Sequence, residues 1–408
     1  MTPKDDLVAK CVATTGDAFC TNIPDSHAGR RSKPQPNRFC QAQFSRDGTS
    51  IVTESADRCI RTFILPEDLL DETTQPHNLS AYCSTRLPSA VSSLALYPHF
   101  NLHDTSTTVF LSGSTDLPIT LTNAIHDGDV HAKYPFVHSS TEVYLGPNSL
   151  AWGREGTHFV AGSKNQIAVF DASYDGSGPV VTHKTAAGRK QNKLYGGQST
   201  LGCRGIVTAL SIRSDGLLAA GTTEREIGLY ANEGSGECLT SFSVAADPGR
   251  LNPMKGTGVM QLAWSPDGTY LLAAERQSTG IHVYDMRNTL RRVSWLSGRQ
   301  ADTTQRLGID VVPTAMGSEV WAGGTDGCVR MWKDPGFVEG EQAPDAVVKL
   351  HETSVSGAVW HPGGAVLATC SGQRTSKPDE PFTDENNVSM NFDVEVHPPE
   401  NTLSIWTV

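Results

Sequence analysis

The sequence GVMQLAWSPDGTYLLAAERQSTGIHVYDMR, residues 258–287, contains three short strand patterns separated by two polar turns. Leu262 and Trp264 occupy alternate positions of the first pattern, as expected for a strand with one buried face. The Pro-Asp-Gly sequence that follows is typical of a tight turn, and two further apolar runs come after it. The stretch therefore predicts three consecutive antiparallel strands of a small sheet.

The same order of strands and turns recurs along the chain. The seven copies begin near residues 39, 90, 148, 205, 258, 308 and 354, and the copy at 90 is the weakest. Such regular self-similarity predicts a repeat architecture that folds as one unit, although a length of 408 residues would otherwise suggest more than one domain.

These copies resemble WD repeats. In the sixth copy, GTDGCVRMW at residues 324–332, Asp326 lies in the turn before the third strand and Trp332 ends that strand. Asp57 has the same place in the first copy. An aspartate in such a turn accepts hydrogen bonds within it, so both aspartates are predicted to be structural. Seven WD repeats predict an all-β fold, a seven-bladed β-propeller in which each blade has four strands.

The propeller is predicted to span residues 37–408, with residues 1–36 as a partly flexible N-terminal segment. The last six residues, LSIWTV, fit the third strand of blade seven, and a segment within residues 11–23 is a candidate for its outer strand. Residues 375–400 contain seven acids, one Lys and few hydrophobic residues, which predicts a mobile acidic insertion in this blade. The insertion replaces the turn that carries Asp57 in the first copy.

The formal net charge of −11 argues against a general binder of polyanions. The acidic insertion contributes −6 of this charge (one Lys minus seven acids), which leaves −5 for the rest of the chain. A local basic surface on this body is therefore compatible with the composition.

Several classes of protein are disfavoured by the sequence. No apolar run reaches the roughly 18 residues of a membrane span, and the first residues do not resemble a signal peptide. Nine cysteines without C-x-x-C spacing predict reduced intracellular thiols. P-loop, HExxH and GxSxG motifs are absent, and His126, His131 and His138 lack the spacing of a common metal site. The sequence predicts a protein that is not an enzyme and uses no metal, cofactor, small-molecule substrate or membrane.

In the predicted topology, the turn after each second strand and the connection into each first strand lie on one face, here called the top face. Gln305-Arg306 precedes the first strand of blade six and Gln373-Arg374 follows the second strand of blade seven, so these two Gln-Arg elements are expected to be neighbours. Further cations expected on the top face are Arg58, Arg225, Arg276, Arg189, Lys190, Lys193 and Arg204.

This collection of side chains has two interpretations. Guanidinium groups bind phosphate oxygens in pairs and stack on bases, while Gln hydrogen-bonds base edges, so the top face is a candidate site for single-stranded RNA. In the alternative, the arginines are solvated or bind nearby carboxylates and carbonyls, and Arg306 and Arg374 lock blades six and seven together. The sequence leaves both interpretations open.

Two longer stretches, WLSGRQADTTQRLGIDV at residues 295–311 and LATCSGQR at residues 367–374, closely resemble elements of the telomerase Cajal body protein family. The resemblance implies a nuclear WD-repeat scaffold that binds small nuclear RNA, either small Cajal-body RNA or telomerase RNA. It also implies a part in localising that RNA or assembling its particles with ribonucleoprotein proteins. The matching motif positions, for which RNA contact is implied, are Arg299, Gln305, Arg306, Gln373 and Arg374.

Two other functions remain open at this point. A distant relative of that family that acts in pre-mRNA splicing, on small nuclear ribonucleoproteins, would keep the same RNA-binding ring. A ring that serves only as an interaction platform for proteins would need none of these RNA contacts. Recovery of bound RNA would distinguish an RNA-binding ring from a platform that binds only proteins.

Overall fold

The computed structural model describes residues 7–16, 37–72, 74–126, 128–138, 140–186, 202–245, 255–287, 291–374 and 400–408. Most of the N-terminal segment 1–36 and of the acidic insertion 375–400 lies outside these ranges, as do Arg189, Lys190 and Lys193. Within the described residues the strands form seven sheets of four or five strands, and the predicted seven-bladed propeller is confirmed.

The first four blades each contain four antiparallel strands in sequence order. Two strands precede or interrupt them, β1 (Lys10–Thr14) and β5 (His77–Asn78). Blade one contains β2 (Phe39–Phe44), β3 (Ser50–Ser55), β4 (Cys59–Ile64) and β6 (Cys83–Arg86). Blade two contains β7 (Val91–Leu96), β8 (Val109–Ser114), β9 (Ile119–Asn123) and β10 (Val130–Tyr134). Blade three contains β11 (Ser149–Trp152), β12 (His158–Ser163), β13 (Gln166–Asp171) and β14 (Val181–Lys184). Blade four contains β15 (Val207–Ile212), β16 (Leu218–Thr222), β17 (Glu226–Tyr230) and β18 (Cys238–Ser243), with a 3-10 turn at Asn232–Gly234.

The last three blades include two additional parallel strands. Blade five contains β19 (Val259–Trp264), β20 (Tyr270–Glu275), β21 (Ile281–Asp285), β22 (Arg291–Leu296) and, parallel to β22, β26 (Gly340–Gln342). Blade six contains β23 (Ile309–Pro313), β24 (Ser318–Gly323), β25 (Cys328–Lys333) and β27 (Ala346–Lys349). Blade seven contains β28 (Val355–Trp360), β29 (Leu367–Ser371), β30 (Leu403–Thr407), then β1 and, parallel to β1, β5.

Apolar side chains of neighbouring blades pack together between the sheets. In one cluster, Leu111 and Ile119 of blade two meet Phe159 and Phe170 of blade three, and all four are fully buried. The two phenylalanine rings stack with their centroids 5.0 Å apart. The alternation of apolar residues in the sequence thus supplies each blade with a face for its neighbour, and burial of these faces holds the ring together.

The turn aspartates hold the corners of blades one and six. Asp57 is buried and accepts hydrogen bonds from the Cys59 amide at 3.2 Å and from the Arg61 guanidinium. Asp326 accepts from the Cys328 amide at 3.3 Å and from both terminal nitrogens of Arg330. Each carboxylate therefore ties its turn to the strand that follows, and charge-assisted bonds of this kind are stronger than neutral ones.

Hydrogen bonds from side chains and, between blades six and seven, from the backbone join each blade to the next around a central channel. The cavity at the centre has a volume of about 310 Å³. The inter-blade bonds are Gln43 Nε2 to the Leu94 carbonyl, Ser93 Oγ to Pro147, Ser149 Oγ to Val207, Thr208 Oγ1 to Val259, Gln261 Nε2 to Ile309, the Gly308 amide to Ser356, and Ser356 Oγ to Phe39. Each bond contributes about 1 kcal/mol on average, and together they fix the rotation of every blade relative to its neighbour.

The ring closes between the two ends of the chain. β1 pairs antiparallel with β30, with Lys10 opposite Thr407 and Thr14 opposite Ser404. β30 in turn pairs with β29, so one sheet contains strands from both ends of the sequence. Blade seven is therefore complete only when both ends are present.

A chain of hydrogen bonds anchors β30 within blade seven. The Trp406 indole donates to Thr369 Oγ1 at 2.7 Å, this hydroxyl lies 2.6 Å from His351 Nε2, and His351 Nδ1 lies 2.5 Å from a Glu400 oxygen. Burial opposes ionisation of Glu400, but its bonds with His351 and the Glu352 and Thr353 amides hold its pKa below the usual value. Glu400, the last residue of the acidic insertion, therefore ties the chain before β30 to the connection that leads into β28.

Deletion of residues 403–408 is expected to leave the protein insoluble or strongly destabilised, because β29 and β1 both lose their partner and the Trp406 bond disappears. Thermal unfolding of the purified chain measures the effect. Removal of Val408 alone, which lies beyond β30 and is 38% exposed, is the matched control and should leave the melting temperature unchanged. An unchanged melting temperature after the larger deletion would contradict closure by β30.

Candidate functional site

The amide of Gln305 bridges the two Gln-Arg elements. Its Nε2 donates to the Gly372 carbonyl at 2.7 Å, and its Oε1 accepts from the Arg374 amide at 3.1 Å. Gln305 itself is only 7% exposed, so both bonds are shielded from water. The structure thus places the two elements side by side, as the blade topology predicts, and a buried glutamine links blade seven to the connection before blade six.

Arg306 extends from this bridge across the mouth of the central channel. Its Nη2 donates to the carbonyl of Thr208, on the inner strand of blade four, at 3.2 Å. The side chain is partly buried and borders both the channel and a second cavity above it. Arg306 therefore lies at the centre of the top face.

The second cavity, here called the mouth cavity, has a volume of about 270 Å³. It is lined by Arg38, Cys40, Glu54, Val91, Ser92, Asn148, Thr208, Arg276, Thr304, Gln305, Arg306 and Arg374. These residues come from turns after second strands and from the starts of first strands, the two kinds of position assigned to the top face. Three of the predicted arginines, Arg276, Arg306 and Arg374, meet here.

One carboxyl group, that of Glu54, faces this cluster of cations. Burial raises the pKa of Glu54 to about 7, although the nearby Arg306 and Arg38 charges and a hydrogen bond from Gln41 favour its ionised form. The Gln41 amide donates to Glu54 Oε2 at 2.7 Å. The charge of the mouth cavity therefore depends on protonation of Glu54 near neutral pH.

Arg299 is a structural residue in this arrangement, not an RNA contact. Its side chain is fully buried, and its guanidinium donates to the carbonyls of Gly323, Leu307 and Gly308. Burial, with a smaller effect from the Arg330 charge, lowers the pKa of Arg299 to about 10. The prediction of RNA contact therefore does not hold for Arg299, because the group that would bind phosphate is enclosed between blades five and six.

Arg225 is also held within the protein. Its guanidinium forms two hydrogen bonds to Glu275, at 2.7 and 2.8 Å, and so links blades four and five. His282 Nδ1 accepts a hydrogen bond from Arg292. The Nε2 atom of His282 therefore carries the proton and donates a hydrogen bond to Glu275. Burial opposes ionisation of Glu275, but the bonds from His282 and Arg225 hold its pKa below the usual value. This pairing gives Arg225 a bracing role.

The remaining predicted residues lie on the top face outside the mouth cavity. Arg58 Nη1 donates to the Pro88 carbonyl at 2.9 Å and links blades one and two. Gln373 is exposed beside Arg374, and its side chain has no hydrogen-bond partner in the described part of the chain. Gln373 therefore has an amide with donors and an acceptor accessible to a ligand.

Sequence reasoning missed two residues of the mouth cavity, Arg38 and Glu54. Arg38 directly precedes β2, a position that the rule for first strands assigns to the top face, but it follows a segment without repeat pattern. Glu54 is the next-to-last residue of β3, and its strand pattern does not distinguish it from an ordinary solvent-facing acid. The position of Arg38 before a first strand could have predicted its place on the top face. The place of Glu54 in the mouth cavity becomes visible only in the assembled ring.

Comparison with known proteins agrees with this architecture. Residues 250–285 and 343–377 match the family described as WD domain, G-beta repeat. Guanine nucleotide-binding protein negative regulator 1 of Schizosaccharomyces pombe is 29% identical over 400 residues, which cover 96% of this chain and 94% of that protein. Telomerase Cajal body protein 1 of Bos taurus is 27% identical over 347 residues, which cover 83% of this chain and 59% of that protein.

The chain is a WD-repeat protein related to telomerase Cajal body protein 1. The resemblance carried by residues 295–311 and 367–374 is thereby confirmed. Protein SWT21 of Kluyveromyces lactis is a further relative, 25% identical over 274 residues that cover 64% of this chain and 61% of that protein. WD-repeat propellers are typically non-catalytic scaffolds, and the site must therefore be judged by what it binds.

Two further properties concern the described residues of this WD-repeat chain. None of its described helical segments is long and apolar enough to cross a membrane. In the same ranges, no three His, Cys, Asp or Glu side chains are grouped so that they could hold a metal ion.

Replacement of Gln305 by Ala is expected to lower the free energy of unfolding by about 1–3 kcal/mol, because the buried Gly372 carbonyl loses its donor. Urea unfolding followed by fluorescence measures this change. Gln373→Ala is the matched control, since that side chain is exposed, and it should change stability by less than about 0.5 kcal/mol. Equal effects of the two substitutions would contradict the bridging role of Gln305.

Glu54→Gln is expected to stabilise the protein in a pH-dependent way. The pKa of Glu54 rises from its usual 4.5 to about 7 on folding, so ionisation increasingly opposes folding as pH rises through this interval. The variant keeps the bond to Gln41 but has no proton to lose. Its melting temperature should match that of the natural chain near about pH 4 and exceed it near about pH 8. A difference that stays constant between these pH values would refute the assignment.

Proposed function

We propose that this chain is a non-enzymatic nuclear scaffold whose top face binds small nuclear RNA. The observation that carries the proposal is the mouth cavity, where Arg38, Arg276, Arg306 and Arg374 converge with Glu54 as the one carboxyl group among the described lining residues. Guanidinium groups recognise phosphate oxygens through paired hydrogen bonds and stack on unpaired bases. Gln373, exposed at the edge of this cluster, offers an amide to a base edge.

The relationship to telomerase Cajal body protein 1 supports RNA of the small Cajal-body or telomerase type as the ligand. On this proposal the ring helps to localise that RNA or to assemble its particle with ribonucleoprotein proteins in the nucleus. The negative net charge of the chain argues against non-specific attraction of RNA and so favours a local site such as the mouth. A role in pre-mRNA splicing, on small nuclear ribonucleoproteins, would use the same face and differ in the identity of the RNA.

An interaction platform for proteins alone is the second candidate, and two observations favour it. Arg58, Arg225 and Arg299 bind groups of the protein itself, as the bracing interpretation requires. The Schizosaccharomyces pombe relative, which aligns over 94% of its length, is named as a negative regulator of a guanine nucleotide-binding protein. In this candidate function the top face would contact an acidic protein surface.

Crosslinking in cells, followed by sequencing of the RNA bound to the purified chain, separates the two candidates. Enrichment of small nuclear RNA is the expected result, and its identity distinguishes telomerase RNA, small Cajal-body RNA and spliceosomal RNA. Recovery of no RNA above background would overturn the proposal and favour the protein-only platform.

Simultaneous replacement of Arg306 and Arg374 by Ala should weaken RNA binding at least about tenfold while leaving the fold intact, because both guanidinium groups line the mouth cavity. The slope of log affinity against log salt should fall by about one for each phosphate group that the variant no longer binds. Arg287→Ala is the matched control. This arginine is 65% exposed, pairs with Asp285 and follows the third strand of blade five, which places it on the opposite face.

A collapse of thermal stability in the double variant would instead assign bracing roles to Arg306 and Arg374. An equal loss of affinity in the Arg287 variant would mean that the RNA is attracted by overall charge and not by the top face.

A further inference from the structure

We propose that the mouth cavity is a binding site for a phosphate monoester, the group carried by a mononucleotide or by the 5′ end of a phosphorylated RNA. The inference deepens the proposed function, and its RNA form rests on that function, because the same arginines take part. The proposed function leaves open which part of the RNA binds; here a terminal phosphate group, and not the continuous backbone, enters the cavity.

Hydrogen-bond donors in the mouth cavity lack acceptors. Among the described residues, the buried Nε of Arg38 has no hydrogen-bond partner. In the described part of the chain, the partly buried guanidinium of Arg276 likewise has neither a hydrogen-bond nor an ion-pair partner. Leaving a charged donor without an acceptor away from water is unfavourable, so these groups are arranged for an acceptor that the protein does not provide.

The charges of the cavity are also unbalanced. Burial, with the nearby charges of Arg306 and Arg374, lowers the pKa of Arg276, as expected for a cation held among like charges. Among the described residues, four arginines and one glutamate line the cavity, which gives +4 − 1 = +3 even when Glu54 is ionised. Glu54 forms no ion pair within the described residues and is held by Gln41. A bound anion would neutralise this excess.

The placement of the arginines favours a monoester over the diester of an RNA backbone. Arg38 belongs to blade one, Arg276 to blade five, Arg306 to the connection before blade six and Arg374 to blade seven, so the donors approach from several sides of the channel axis. A monoester presents three terminal oxygens and has one covalent link to leave by, whereas a diester presents two and continues in both directions. The cavity volume of about 270 Å³ also lies at the small end of ligand pockets, which suits an end group.

Calorimetric titration with inorganic phosphate and with adenosine 5′-monophosphate, at constant ionic strength, tests the site without RNA. Both probes should bind the natural chain, and Arg276→Gln should weaken both by about tenfold or more. At about pH 8, where Glu54 is ionised, Glu54→Gln should strengthen both several-fold, because it removes the one negative charge among the described residues of the cavity. That gain cannot arise from a damaged fold. Arg287→Gln, on the opposite face, is the control and should bind both probes as the natural chain does.

Short oligouridylates with a 5′-phosphate or a 5′-hydroxyl test the RNA form. The phosphorylated oligonucleotide should bind about tenfold more tightly, and this preference should disappear in the Arg276→Gln variant. Equal affinity of the two oligonucleotides, together with no binding of inorganic phosphate, would overturn the inference and leave RNA binding by the top face standing. Binding of phosphate without binding of either oligonucleotide would support the site and count against the proposed function.

Discussion

Every blade of this propeller depends on the pairing of β1 with β30. A blade packs only against its two neighbours, so a ring with one incomplete blade exposes apolar faces on both sides of the gap. Closure joins residues from opposite ends of the sequence, so this pairing carries the largest loop-closure entropy of the strand pairings in the ring. The bonds from Trp406 through Thr369 and His351 to Glu400 fix β30 in its place at that point.

The same closed ring explains how the top face combines rigid and accessible side chains. Arg299 and Gln305 are buried and satisfy backbone carbonyls, which sets the path of the connection before blade six. Arg306 follows Gln305 in the chain and Arg374 is bonded to it, so both arginines are held beside the channel. Side chains bonded within the fold thus position Arg306 and Arg374 for a ligand, and a preorganised site loses less entropy on binding.

The fold could be predicted from the sequence because its signals are local. Strand alternation and turns such as Pro-Asp-Gly lie within about ten residues of each other, and seven repetitions leave one architecture. The proximity of Gln305 to Arg374 followed from blade order alone. The different burial of Arg299 and Arg306 could not be predicted, since it depends on which side of the connection faces the channel. Glu400 was equally hidden, because the insertion separates it from the rest of its repeat.

The two additional parallel strands bear on how other proteins can attach. β5 pairs with β1 at the outer edge of blade seven, and β26 pairs with β22 at the outer edge of blade five. At these positions the backbone groups of β1 and β22 therefore already have hydrogen-bond partners. A partner that binds by adding its own strand to a sheet therefore meets these two blades already capped at those positions, and must approach the rim at another blade. The seven outer edges are thus not equally available for pairing with a partner strand, although the blades share one architecture.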